Sequence, residues 1–145
     1  MTRKPLAALI LTSFIVFSAG ASDVISEREV GFKASKRAVS SIKDALADGN
    51  MAAVAASAKS MAEFAEQIPS LFPPRSKGGF FSAAKEDIWR SFPDFVEKSR
   101  SLQSDAQALA ALAASPSPDK ATVNAAFVKV TEDCKTCHQA YKKRW

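Results

Sequence analysis

The 145-residue chain is 47% hydrophobic and 24% charged, with 20 Lys and Arg against 15 Asp and Glu and a formal net charge of +5. Its length favours one domain, and so large an apolar share with only 5 Gly and 7 Pro excludes a disordered chain. Alanine rather than β-branched residues carries the apolar content, and no basic stripe interleaves with aromatics. A β-sandwich and a nucleic-acid-binding surface are therefore not expected.

The chain opens on a short positive region, Arg3 and Lys4, followed by an apolar run over residues 6–17 and by Ala19-Gly20-Ala21, small residues of the A-x-A type. This reads as a secretory signal peptide over residues 1–21, cleaved after Ala21, with a domain over residues 22–145. The apolar run is shorter than the roughly 20 residues of a membrane span, so no stable membrane anchor is expected after cleavage; an uncleaved anchor is the competing reading.

Four stretches then repeat at helical spacing, and no period-2 run of Val, Ile, Thr and aromatics interrupts them. The first covers residues 23–47, with Asp23 as N-cap and Ile25, Phe32, Val39 and Leu46 seven apart, Ile42 lying between the last two. Asp48-Gly49-Asn50 makes a turn, and Asn50 can cap the second helix, whose inner face is Met51, Val54, Ala58, Met61, Ala65 and Ile68. Pro69 ends it. Residues 70–82 form an irregular connection, and residues 83–90 a short helical turn. The third helix starts beyond Ser91, a candidate cap, with Pro93 in its first turn and a stripe of Phe95, Ser99, Leu102, Ala106, Leu109 and Ala113. Ser115-Pro116-Ser117-Pro118 breaks it. The fourth helix covers residues 119–144 and presents Val123, Phe127, Val130, Cys134, Cys137 and Tyr141. Alternating three- and four-residue spacing with short connections predicts an all-α, antiparallel up-down-up-down four-helix bundle.

Near the end of the fourth helix stands Cys134-Lys135-Thr136-Cys137-His138, which holds both cysteines and the single histidine of the chain. C-x-x-C-H is the signature of covalent c-type haem attachment. Thiols at i and i+3 lie on one helical face and can reach the two vinyl groups of one porphyrin, and the adjacent imidazole is then brought to the iron as axial ligand. Three other readings compete. A thioredoxin-type redox pair needs a βαβ context. A structural zinc site needs four ligands, and this run has three. A disulfide between such near neighbours leaves the histidine unexplained. One covalent haem c, bound by Cys134 and Cys137 with His138 on the iron, is the expectation.

A C-x-x-C-H a few residues from the C-terminus, followed by Tyr141, together with Arg28 in the first helix, Leu71-Phe72-Pro73 after the second and Ile88-Trp89 before the third, resembles the cytochromes c′ over residues 23–145. These are four-helix-bundle haem proteins of bacterial periplasms. The resemblance implies a covalently bound haem in the bundle, a periplasmic location and a non-enzymatic role in binding small diatomic gases (NO, CO), in single-electron transfer with redox partner proteins, or in both. It places Phe32, four residues after Arg28, on the distal face of the haem. The family's low-spin members carry a ligating Met at that position, so Phe32 implies a five-coordinate, high-spin iron. A low-spin carrier with another sixth ligand, and a structural or haem-reservoir protein, remain the alternatives; Met51 and Met61 are the sulfur atoms on offer, though both fall on a core stripe. Arg28 is expected to pair with a haem propionate. Glu29 is a weaker haem neighbour, and Tyr141 and Lys142 lie toward the proximal side, Lys142 standing where the family often has Arg. Alanine-rich helix faces such as residues 52–56 leave room for a homodimer.

Overall fold

A computed structural model describes residues 21–80 and 82–144. The leader expected over residues 1–21 lies outside them, the backbone of Ala21 excepted. Four long helices, α1 (Ala21–Asp48), α2 (Met51–Gln67), α4 (Phe92–Ala113) and α5 (Lys120–Tyr141), form the antiparallel bundle, and a one-turn α3 (Asp87–Arg90) interrupts the connection from α2 to α4. No strand occurs among the described residues, although Ala84 and Lys142 form an isolated antiparallel bridge. None of the described helices is long and apolar enough to cross a membrane.

The corner between α1 and α2 takes two residues. Gly49 adopts φ +70°, and its N–H donates to Leu46 O at 3.4 Å while Asn50 N donates to Ala45 O at 2.8 Å. This crossed pair satisfies the last carbonyls of α1, and a left-handed residue is needed to make it, hence glycine. Asn50 then starts α2 by accepting from Ala53 N at 3.1 Å. At the other corner Asp119 accepts from Thr122 N at 2.7 Å to begin α5.

Three local expectations are corrected. Asp23 lies inside the first turn of α1 and not at its N-cap, where its charge complements the helix dipole. Ser91 occupies the N-cap position of α4, but its side chain makes no capping bond. The last helix stops at Tyr141, three residues short of Arg144, because Lys142 turns to extended backbone and pairs with the chain at residues 83–85. Pro69 does end α2 proper, and a 3₁₀ turn (Ile68–Leu71) carries the chain out of it.

α1 packs on α2, α2 on α4 and α4 on α5, whereas α1 and α5 barely touch. The interior divides into two clusters along the bundle. The first joins Ile42, Leu46, Val54, Met61, Leu109, Val123 and Val130 near the α1–α2 and α4–α5 corners. The second joins Ile68, Leu71, Phe72, Ile88, Phe95 and Tyr141 at the opposite end. Each fully buried aliphatic or aromatic side chain contributes roughly 1.5–3 kcal/mol. The first cluster, with Ile42, Val54, Leu109, Val123 and Val130 at 0% exposure, therefore holds the bundle together away from the seam between α1 and α5.

Candidate functional site

The inward register of α5 carries Cys134 onto the first cluster and Cys137 onto the second. A helix rises about 1.5 Å per residue, so two thiols on one face span the boundary between the clusters. Both are unbridged and half-buried. Burial raises the Cys134 thiol pKa, with Asp133 adding to the effect. Cys137 is pushed up to about 11, again by burial first, with the negative charges of Asp94 and Asp133 reinforcing it and Lys98 opposing. Catalytic C-x-x-C pairs depend on a depressed thiol pKa. These two run the other way, and they lie in an all-helical setting without the βαβ context that a thioredoxin-type pair needs. Among the described residues no group of three His, Cys, Asp or Glu is placed to hold a metal ion, and a structural zinc site needs four ligands.

His138 follows Cys137 at the solvent edge of the same face. Partial desolvation, and then the Lys142 ammonium, lower its pKa, which favours the neutral imidazole that can ligate a metal. Across the seam from α5, the Phe32 ring of α1 faces the imidazole with 6.3 Å between centroids. Phe32 meets Phe64 edge-on at 5.1 Å and Phe72 at 6.4 Å. Opposite His138 the wall is thus made of carbon.

Gly31 makes this wall. A Cβ built at Gly31 would stand 1.9 Å from Phe64 Cε2, so the Phe64 ring lies directly on the α1 backbone. An interior helical glycine costs about 1 kcal/mol relative to alanine. Here that cost admits an aromatic ring beside Phe32. The stripes read from the sequence omitted Phe64, Phe72 and Gly31; the mid-helix glycine was the available signal for a close approach.

Arg28 is 4% exposed, and burial lowers its pKa, Glu29 opposing. Its Nη1 donates to Leu71 O at 3.5 Å and to Ser76 Oγ at 3.4 Å, its Nη2 donates to Lys77 O at 3.2 Å, and the guanidinium lies 4.5 Å from the Phe72 ring centroid. The partner that a buried cation requires comes from the α2–α4 connection. Trp89 Nε1 fastens the same segment by donating to Phe72 O at 3.1 Å and to Pro73 O at 3.0 Å.

Of the remaining residues singled out in the sequence, Lys142 acts on His138 through its charge, while Glu29 and Tyr141 make contacts of their own. Glu29 is exposed on the outer face of α1, 4.0 Å from Lys33. Tyr141 is buried edge-on to Phe95, with 5.3 Å between centroids, and its hydroxyl donates to Asp94, tying the end of α5 to the start of α4. Burial and Asp94 hold its pKa far above the ordinary phenol value. Lys142 is exposed and lies outside the helix. Cys134, Cys137, His138 and Phe32 therefore meet at one seam, with Arg28 one helical turn before Phe32. Two protonated thiols on the inward face, an imidazole beside them and a carbon wall opposite form a set that suits a covalently attached haem.

Comparison with known proteins agrees with this chemistry. The family model described as Cytochrome C' matches residues 23–142. The chain is 41% identical over 91 residues to a cytochrome c-556 of Agrobacterium fabrum, a match covering 63% of this chain and 59% of that relative's length. It is 29% identical over 131 residues to a cytochrome c′ of Rhodopseudomonas palustris, covering 88% of this chain and 87% of the relative. The crystal structure of cytochrome c′ from Thermochromatium tepidum superposes with a TM-score of 0.77 at 28% identity, over 86% of this chain and 98% of that one.

Proposed function

We propose, from the premise that the chain belongs to the cytochrome c′ family, whose members carry covalent haem c, that it is an exported five-coordinate haem protein that binds small neutral gases such as NO and CO and can pass single electrons. When bound, the haem would supply one redox-active iron able to take a small ligand. In this reading Cys134 and Cys137 fasten the haem through thioethers and His138 is the axial ligand. Residues 1–21 direct export to the periplasm and are removed after Ala21.

The observation that carries the reading is the Phe32 ring facing His138 at 6.3 Å. A phenyl ring has no lone pair for iron, and its other ring neighbours, Phe64 and Phe72, have none either. Such a wall disfavours water and anions and admits a neutral diatomic when the ring yields. Met61, the better buried of the two candidate sulfur ligands, is held in the first core cluster with Ile42 and Val54. Arg28 uses three of its five donors on the connection, which leaves donors for a propionate. The single histidine is committed to the iron, so no distal histidine is available as an acid or base, and a binding and carrier role is favoured over peroxidase chemistry.

Optical spectra of the purified protein in both oxidation states test the proposal. A high-spin ferrous spectrum that shifts on addition of CO or NO is the expected result, and Phe32→Met should convert it to a low-spin, CO-insensitive one. A wild-type ferrous protein already low-spin and indifferent to CO would overturn the five-coordinate reading.

A further inference from the structure

The last turn of an α-helix leaves four carbonyls without partners inside the helix. In α5 these belong to His138, Gln139, Ala140 and Tyr141, and all four are taken. Lys142 N donates to His138 O at 3.0 Å. Lys85 Nζ donates to Gln139 O at 2.9 Å and to Ala140 O at 3.0 Å. Lys85 N donates to Tyr141 O at 3.0 Å, and Lys143 N returns a bond to Ala83 O at 2.8 Å. Lys85 alone thus closes three of the four positions, and it sets a cation at the negative end of the helix dipole.

The connection that bears Lys85 also holds the opposite helix. Arg28 of α1 grips it through Leu71 O, Ser76 Oγ and Lys77 O. Within it, Ser82 Oγ bonds to Lys77 O and the Lys77 ammonium pairs with Glu86, so the segment between the two grips is cross-braced. α1 and α5 make little direct contact. The connection therefore links α1, through Arg28, to the end of α5, through Lys85 and the bond from Lys143 N to Ala83 O.

We propose that Lys85 is a positioning residue for the axial histidine: by capping the turn that follows His138, it holds the imidazole at a fixed distance and angle from the haem site. The inference rests on the reading of His138 as the axial ligand. With the Lys85 ammonium removed, the Gln139 and Ala140 carbonyls turn to water, the last turn of α5 frays, and the backbone behind the imidazole is free to rotate.

Lys85→Met keeps the alkyl stem and removes the donors. In the haem-loaded protein the expected result is amide hydrogen exchange at residues 140–142 faster by roughly tenfold, a mark of local opening. The ferrous iron–histidine stretching band should also shift and broaden, while Lys85→Arg retains the wild-type band. An iron–histidine band in Lys85→Met identical to the wild type, whether or not exchange accelerates, overturns the proposal, because Lys85 is then only a helix staple. If Lys85→Met does not fold, Lys85→Gln is read by the same two measurements and the same criteria. A wild-type ferrous protein with no iron–histidine band would instead overturn the five-coordinate, His138-ligated reading on which the inference rests, so the two failures are distinguishable.

Discussion

Asp133 stands one residue before the first cysteine, and its Oδ2 is buried with no hydrogen-bond partner among the described residues. Burial first, and then the Asp105 carboxylate on α4, push its carboxyl up to about 6, with Glu132 reinforcing the shift and Lys98 opposing it. A folded-state pKa above the ordinary value of 3.8 means that the native protein binds more protons than the unfolded chain between those two values. Asp133 therefore costs stability progressively as pH rises from about 4 to about 6, and the full cost is present at neutral pH. Asp133→Asn removes the charge and should raise Tm at pH 7 while flattening its pH dependence across that window. Identical Tm slopes in the two proteins would show that Asp133 does not carry the effect. Asp133 lies at the rim of the same helical turn as Cys134, and nothing in its neighbours along the chain announces the Asp105 carboxylate that faces it from another helix.

For the helices themselves, most of what matters locally was legible. Asn50, Asp119 and Pro93 stand where short-range chemistry puts them, and the stripe of each helix lies on its inward face, half-buried at Ile25, Phe32, Val39, Cys134 and Cys137. Gly31 is the exception within α1. Replacing it with alanine gains about 1 kcal/mol of helix propensity. The new methyl, however, collides with a ring 1.9 Å away, and overpacking of this kind costs typically 1–3 kcal/mol. Gly31→Ala should therefore lower Tm by a few degrees and, by pushing Phe64 against Phe32, alter the affinity for CO; Phe64→Leu in the same chain should recover part of the stability. A Gly31→Ala protein as stable as the wild type, with unchanged CO binding, would mean that α1 and α2 do not approach this closely in solution.

Taken as a whole, the molecule has one dry end and one end built around the seam between α1 and α5. The first core cluster needs no cofactor to be apolar and close-packed, since its central side chains are wholly shielded. Phe32, Cys134 and Cys137 at the seam are only half-buried. A ligand bound by the native state alone adds to stability; a covalent haem stays on the unfolded chain as well, so it would stabilise through the axial bond and the packing that only the native state makes. Cys134→Ser combined with Cys137→Ser, exported without attached haem, should keep most of its far-UV helical signal but lose near-UV structure and unfold at a lower temperature with reduced cooperativity. A haem-free double variant that melts as sharply and as high as the loaded protein would show that the bundle is complete without its cofactor.

The four helices, their inward faces and the C-x-x-C-H run were readable from the amino-acid order, because each depends on residues within one or two turns of one another. Two thiols at i and i+3 share a face wherever the helix is placed, and the imidazole follows them. Tertiary structure decided the rest. Lys85 caps carbonyls up to 56 residues away, Arg28 grips a serine 48 residues on, and Phe64 lies on a glycine of the preceding helix. Such contacts arise from how helices and their connections come together in space. No local pattern encodes them.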